Sequence, residues 1–485
     1  MTRTMAANDA FVMLTVANDG ALLDHDGLAA RPRTGSHWYV LSTPEISLVP
    51  HFRTLLARAA QERPDVGILY GDAEVLADGA GRRAFLDLKP DFDLTLLISN
   101  DYIGLPVAIQ ADVLHRLGGT DAARVQDASI YDLMLRAVSA GVTIARIPEV
   151  LAQRKAPRLP PRESARKAAL TSWLGHAGNH FELQPGRVEG SLQLRRRFAG
   201  DHPQVTVIVP TRQSAPDGQE DGHPPPFVIG LLETIERLNY PMDRLHVLVG
   251  DDIDDDTAYA GRSWPFGFQR VVTARKPGEP FNYAAKMNLL WRMSRTEQIV
   301  FMNDDITAES TEWLEALLTF SMQEDVGGAG ARLLYPNGTI QHAGIPGGLF
   351  GVCAHAWLGL PSSAPTYQDW ALVHREWSMV TGAVFATRRS LLETVNGFDE
   401  RFSLEFNDVD LCLRLRLLGY RIVYTPFAEL THHEKASRGD RLPPASELAL
   451  FLKRWRGYLV QDPHYHPRLD RESLEIRPLN PRQYR

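Results

Sequence analysis

One internal repeat limits what this chain can fold into more than any other feature. Gly104 to Pro148 aligns without a gap onto Gly382 to Pro426 at a constant offset of 278 positions. Gly104, Gly119, Asp121, Asp132, Leu133, Leu135, Arg136, Gly141 and Pro148 meet Gly382, Gly397, Asp399, Asp410, Leu411, Leu413, Arg414, Gly419 and Pro426. Shared turn glycines, core leucines and an Asp-to-Arg spacing require the same local structure to be built twice. Upstream, WYVLSTPEISLVPHFRTLLARA resembles IVFMNDDITAESTEWLEALLTF with one gap. Each reads as an apolar strand, a polar turn and an amphipathic helix.

The second unit begins with VTVIVPTR, a buried-type strand stopped by Pro210, and continues to HVLVGDDIDDDT, a second such strand ending in carboxylates. Strands alternating with helical patterns predict an α/β class: an open, mixed, largely parallel sheet flanked by helices. Ligands of such sheets lie at the carboxyl ends of the strands. The first unit shows no counterpart of the strands at 205–210 and 246–250 and reads as a truncated copy. The expected division is therefore 1–155 for a truncated related unit, 156–200 for a Pro/Arg-rich linker with one helix, 201–440 for the full unit and 441–485 for a helical tail.

Composition excludes several classes of function. The chain has 485 residues, 44% of them hydrophobic, and a net charge of −7, which argues against a protein that grips nucleic-acid backbone. Its two cysteines, Cys353 and Cys412, form neither a disulfide framework nor a zinc spacing. No run of about 18 apolar residues occurs, and the N-terminus lacks the apolar core of a signal peptide. The expectation is a soluble cytoplasmic protein.

The two copies differ where chemistry is expected. Asp305 follows a strand, Asp408 opens the helical pattern of EFNDVDLCLRLR, and His432 ends the strand RIVYTPFAELTHH; the first copy carries Pro44 or its neighbours, Ile130 and Arg154 at those places. Three polar groups lost together while glycines and leucines persist indicates a site rather than a fold requirement. Two carboxylates and an imidazole suit a divalent cation of the Mg²⁺ or Mn²⁺ type, with one carboxylate left to accept a proton. Taken singly, each has a plainer alternative: a solvated turn acid at Asp305, a helix N-cap at Asp408, a packed histidine at His432.

The motifs VTVIVPTR, GDDIDDDT, FNYAAKMNLL, FMNDDI, LLYPNGTIQHAG, VTGAVFATRRSLLETVNGFDERFSLEFNDVDLCLRLRLLGYRIVYTP and AELTHHEKASRG span roughly residues 204–440. Together they resemble family-2 glycosyltransferases of the GT-A (Rossmann-like) fold, in particular the bacterial rhamnosyltransferase-like members of O-antigen and polysaccharide assembly. The first half resembles the donor-site-lacking unit that some of these proteins carry in front, and DPHYHPRL resembles their closing motif. The resemblance implies an inverting transfer from a nucleotide-diphosphate sugar to a hydroxyl of a glycan or lipid-linked acceptor, with Mn²⁺ or Mg²⁺ as cofactor. It implies Pro210, Thr211, Asp251, Asn288, Asn303 and Asp304 in the donor pocket and Asp305 with His432 at the metal. Asp408 is then the catalytic base, and Gly382, Ala383, Trp377 and Asn407 lie on the acceptor side. Asn303 and Asn407 depart from the family pattern, which places acids there.

Two other readings stay open at this level. A nucleotidyltransferase also uses acids and Mg²⁺, but calls for a basic, glycine-rich loop where VIVPTRQSAPDG offers only Arg212. A non-catalytic scaffold would treat Asn303 and Asn407 as early losses. A lipid-linked acceptor implies peripheral contact with the inner membrane face, for which LQLRRRF and LFLKRWRGYLV are the candidate segments, and the first unit is a candidate acceptor platform or homodimer contact.

Overall fold

The computed structural model describes residues 11–16, 22–23, 37–76, 84–118, 129–155, 163–175, 180–216, 224–275, 278, 280–433 and 442–479. The repeat positions Gly119 and Asp121 and the segment that follows His433 in AELTHHEKASRG lie outside the described residues. Two compact units emerge. The first comprises residues 1–194 with 463–470 and 477–485, and the second comprises 195–462 with 471–476.

The second unit is built on a mixed sheet. Its strands run in the spatial order Gly267–Val272, Leu245–Asp251, Val205–Thr211, Gln298–Met302, Val384–Arg388, Val326–Leu334, Arg421–His432, Ile306–Thr307. The first four are mutually parallel, and Val384–Arg388 enters antiparallel on both sides. Burial explains the composition of the centre: Val205, Val207, Ile208 and Val209 are fully buried, as expected for a parallel strand covered on both faces. The helix Trp313–Ser321 packs over this sheet with all nine of its residues buried.

The first unit has its own sheet, in the order Leu22–Leu23, Phe11–Val16, Trp38–Ser42, Val107–Gln110, Val66–Val75, Thr143–Arg154, Ile46–Leu48. From Phe11–Val16 onward, each strand and each pairing sense matches the second sheet from Val205–Thr211 onward. This corrects the expectation that the first unit lacks both leading strands. Phe11–Val16 runs parallel to Trp38–Ser42 just as Val205–Thr211 runs parallel to Gln298–Met302. Where the second unit continues with parallel Leu245–Asp251, the first carries, among the described residues, the antiparallel Leu22–Leu23.

The identities of the repeat have structural causes. Arg136 Nε donates to Asp132 Oδ2 at 2.8 Å and the same guanidinium donates to the Leu117 carbonyl. Arg414 repeats this with Asp410 Oδ2 at 2.7 Å and the Val395 carbonyl at 2.8 Å. Each Asp–Arg pair thus ties its helix to the end of the preceding one. Gly141 (φ 64°) and Gly419 (φ 90°) end those helices in the left-handed conformation that a side chain disfavours.

Two boundaries differ from expectation. Residues 163–175 form a helix whose Arg166 is fully buried and donates to the Ser99 carbonyl at 3.0 Å, so this stretch belongs to the first unit's packing. The tail is helical only over Ala445–Val460; beyond it, His466 is buried with Nε2 2.7 Å from Asp72 Oδ2 in the first unit.

Candidate active site

The parallel strands Val205–Thr211 and Gln298–Met302 end at the same edge of the sheet, where the connections diverge to opposite sides and leave a crevice. The apolar run of Gln298–Met302 gives way to Asn303, whose N–H donates to the Ala383 carbonyl at 2.9 Å in the register of the Met302–Val384 pair. Asp304 and Asp305 then turn over the crevice. A cavity of about 710 Å³ opens there, lined by Pro210, Thr211, Asn303, Asp304, Asp305, Gly382, Ala383, Asn407, Asp408 and His432. Ten of the thirteen residues expected from sequence therefore share one cavity.

On one wall, His432 Nε2 lies 3.0 Å from Asp305 Oδ1, because Ile306 and His432 pair directly across antiparallel strands. The Asn303 amide nitrogen is 3.4 Å from the same ring nitrogen. In the first unit Ile46 pairs with Arg154 in the same register, which sets exposed Glu45 where Asp305 stands and an arginine where His432 stands. An acid thus persists there, contrary to the expected loss of all three groups, and the imidazole is what is missing beside it.

The opposite wall is the start of the helix Asn407–Leu417. Its N-cap is Phe406, in the left-handed region at φ 62°, without a side-chain cap. Asp408 is therefore not the N-cap: its Oδ2 accepts from the Gly382 N–H at 2.7 Å. A Cβ on Gly382 would fall 2.9 Å from the Asp408 Cβ, so close approach explains this glycine. The loop before the helix is held by buried Glu447, whose carboxylate accepts from Ser403 N (3.0 Å), Ser403 Oγ (2.6 Å) and Glu405 N (2.8 Å).

Three expected residues are placed elsewhere. Asp251 is fully buried and accepts from Gln213, Tyr259 and Arg270, so its carboxylate is consumed inside the fold; Asp252 faces the cavity in its stead. Asn288 donates to the Phe398 carbonyl and Glu400 and accepts from Phe398 N and Trp291 Nε1, which turns it into a structural clamp away from the donor cavity. Trp377 is fully buried with Arg375 stacked 3.7 Å from its ring centre, a core side chain with no face for a sugar.

Sequence reasoning also passed over residues that shape the cavity. Lys286 bridges Asp252 Oδ1 (2.8 Å) and the Thr211 carbonyl (3.1 Å), and burial lowers its pKa. Its motif FNYAAKMNLL was visible, but Asn288, two positions on, drew the attention. Asp304 accepts from Thr211 Oγ1 at 2.7 Å, and burial pushes its carboxyl up to about 6, with Asp305 adding to the effect. Burial likewise raises the pKa of the Cys353 thiol, so this cavity-lining cysteine stays protonated.

The donor set can be tested against a divalent cation. An octahedral ion with bonds of about 2.1 Å sets neighbouring ligands about 3.0 Å apart, which the Asp305–His432 pair meets. Among the described residues no three His, Cys, Asp or Glu side chains converge as an all-protein cage. An ion of the Mg²⁺ type normally takes one or two protein ligands and completes its shell with water and substrate phosphates. The residues present fit such an ion.

A family model described as "Glycosyltransferase like family 2" matches residues 202–454, 253 of the 485. The chain belongs to glycosyltransferase family 2. Its mixed sheet with flanking helices is the GT-A arrangement expected of that family. This family-2 chain is 29% identical over 486 residues to the uncharacterized protein y4gI of Sinorhizobium fredii, an alignment covering 95% of this chain and 49% of that one. It is 30% identical over 439 residues to the O-antigen biosynthesis protein RfbC of Myxococcus xanthus, covering 88% and 33%. Over 121 residues it is 35% identical to the N-acetylglucosaminyl-diphospho-decaprenol L-rhamnosyltransferase of Mycobacterium tuberculosis, covering 25% and 39%. The chain thus spans half the length or less of these relatives. Among solved structures, the mannosyltransferase PcManGT from Pyrobaculum calidifontis, in complex with GDP-Man and Mn²⁺, aligns with a TM-score of 0.34 at 17% identity over 69% of this chain and 82% of that one.

Proposed function

We propose that the second unit is an inverting glycosyltransferase that moves a sugar from a nucleoside-diphosphate sugar to a hydroxyl of a glycan or lipid-linked acceptor in cell-surface polysaccharide assembly. The observation that carries this reading is that Asp408 lines the same cavity as Asp305 and His432. Asp408 accepts the proton of the acceptor hydroxyl as its oxygen bonds to the sugar C1. The bond from C1 to the diphosphate breaks on the opposite face, and the nucleoside diphosphate leaves with the electron pair. Gly382 N–H orients the Asp408 carboxylate for this, and the Glu447 clamp holds the loop that carries it. Asp305 and His432 would hold a Mn²⁺ or Mg²⁺ ion, which when bound neutralises charge on the departing diphosphate. Thr211, Asp304, Lys286 and Asp252 form the donor side.

The family membership and the RfbC relative support this reading over a nucleotidyltransferase. The matching strand orders support the first unit as a related copy without the donor half. No described helix is long and apolar enough to cross a membrane. Work at the inner membrane face would be peripheral, with exposed Leu452 and Val460 beside Lys453 and Arg456 on the Ala445–Val460 helix as the contact.

The test is a screen of nucleotide sugars for turnover, followed by Asp408→Asn. Turnover is expected to fall by about 10³-fold or more, the scale of a lost general base, while donor binding measured by calorimetry stays within about two-fold. Retained turnover in that variant removes Asp408 from its role. A protein that binds no nucleotide sugar with or without Mn²⁺ is the scaffold.

A further inference from the structure

The strand Ile340–His342, from the motif LLYPNGTIQHAG, has no part in the chemistry above, yet Gln341 lines the cavity and His342 is buried behind its wall. His342 Nε2 lies 3.4 Å from Thr381 N, next to Gly382, while Gln341 faces the other way. The Gln341 side-chain nitrogen is 2.7 Å from His432 Nδ1, and the Gln341 backbone carbonyl accepts from His355 Nδ1 at 2.8 Å. Gln341 is buried, at 4% exposure.

The proton positions follow from what each partner accepts. Without a cation, His432 Nε2 has two neighbours, the Asp305 carboxylate at 3.0 Å and the Asn303 amide nitrogen at 3.4 Å; the nearer one, as a carboxylate, only accepts, which sets the hydrogen on Nε2. Nδ1 of a neutral ring is then bare and can take a hydrogen from the Gln341 NH₂, 2.7 Å away. A cation at Nε2 needs the lone pair there, which sends the ring proton to Nδ1. The partner 2.7 Å away must then accept, and among uncharged side chains of this length an amide alone offers both a donor and an acceptor by a half-turn of its end.

We propose that Gln341 is a positioning residue that selects the protonated nitrogen of His432, its amide donating to Nδ1 in the empty site and reversing to accept from Nδ1 when Nε2 holds a divalent cation. The proposal rests on the reading of His432 as a cation ligand. The backbone of Gln341 stays fixed by its strand and by His355, so the reversal is confined to the amide.

The test uses the full chain with ¹⁵N-labelled histidine. Metal-free wild type is expected to show His432 protonated at Nε2, and addition of Mg²⁺ with inorganic pyrophosphate to move the proton to Nδ1. Gln341→Met keeps the volume and removes both hydrogen-bonding roles; it is expected to weaken Mn²⁺ binding, followed by electron paramagnetic resonance, by about 10- to 100-fold. Gln341→Glu keeps the acceptor and is expected to bind Mn²⁺ within about five-fold of wild type. A purely packing role would give the reverse order, with Met tolerated and buried Glu harmful. A His432 already protonated at Nδ1 in the metal-free protein, or wild-type affinity in Gln341→Met, overturns the proposal while leaving the cation reading intact; a proton that stays on Nε2 after loading overturns both. Failure of Mn²⁺ to broaden the His432 resonances of wild type overturns both.

Discussion

Gly382→Ala probes how tightly the site is built around Asp408. The added methyl would stand 2.9 Å from the Asp408 Cβ and 3.5 Å from Oδ2. Carbon atoms are comfortable at about 3.5–4.0 Å, so one partner must retreat by about 0.6–1.1 Å. The Asp408 Cβ belongs to the first turn of a helix, so it cannot swing aside as a flexible chain end does. Retreat also stretches the 2.7 Å bond from Gly382 N–H to Oδ2. Overpacking of this kind costs about 1–3 kcal/mol of stability. A displacement near 1 Å of a reacting group costs about 10²-fold in rate. Urea denaturation should therefore show a folded but weaker protein, and nucleotide-release kinetics should show kcat reduced about 100-fold with donor affinity nearly unchanged. A folded Gly382→Ala with kcat within about three-fold of wild type would refute the claim that the glycine is required by the nearness of Asp408.

Other consequences are open to direct measurement. Glu447→Ala strands Ser403 N and Glu405 N and should lower stability by about 2–4 kcal/mol in urea, with a larger loss of kcat than of donor affinity. For Asp399, the Arg401 guanidinium and then Arg454 hold the carboxyl below its ordinary range. A depressed folded value means that the unfolded chain binds the proton first. The stability that Asp399 contributes is thus complete above the ordinary carboxyl range, about pH 4, and lost as pH falls through the lower folded value. Wild type should therefore lose stability more steeply than Asp399→Asn between pH 4 and pH 2 in denaturant titrations; equal slopes would contradict the pairing.

What the sequence showed and what it hid divide along physical lines. Asp408 and His432 were legible because a repeat supplied an internal control: Gly, Leu and the Asp–Arg pair recur for packing, so a group that one copy replaces stands out, whereas the acid Glu45 stands at the counterpart of Asp305. Phe11–Val16 was missed because a six-residue apolar run declares itself a strand only through its pairing with Trp38–Ser42, beyond a segment with no clear periodicity. Trp377 and Asn288 misled because periodicity cannot tell a side chain that faces a cavity from one that faces the core. Trp377 is enclosed by nearby Arg375 and by Trp357, and Asn288 is fixed by the distant Phe398 and Glu400. Asp251 and Asp252 are adjacent acids after one strand, and only the alternation of a real backbone decides that Arg270 takes the first and Lys286 the second.

The most direct test of the central claim is calorimetric titration of nucleoside diphosphates, with and without Mn²⁺, into wild type and Asp305→Asn. The account predicts nucleotide binding that strengthens with Mn²⁺ in wild type and loses about ten-fold or more of that gain in the variant. Binding that is equal with and without the ion, or unchanged by Asp305→Asn, would contradict a cation held between residues 305 and 432 opposite Asp408.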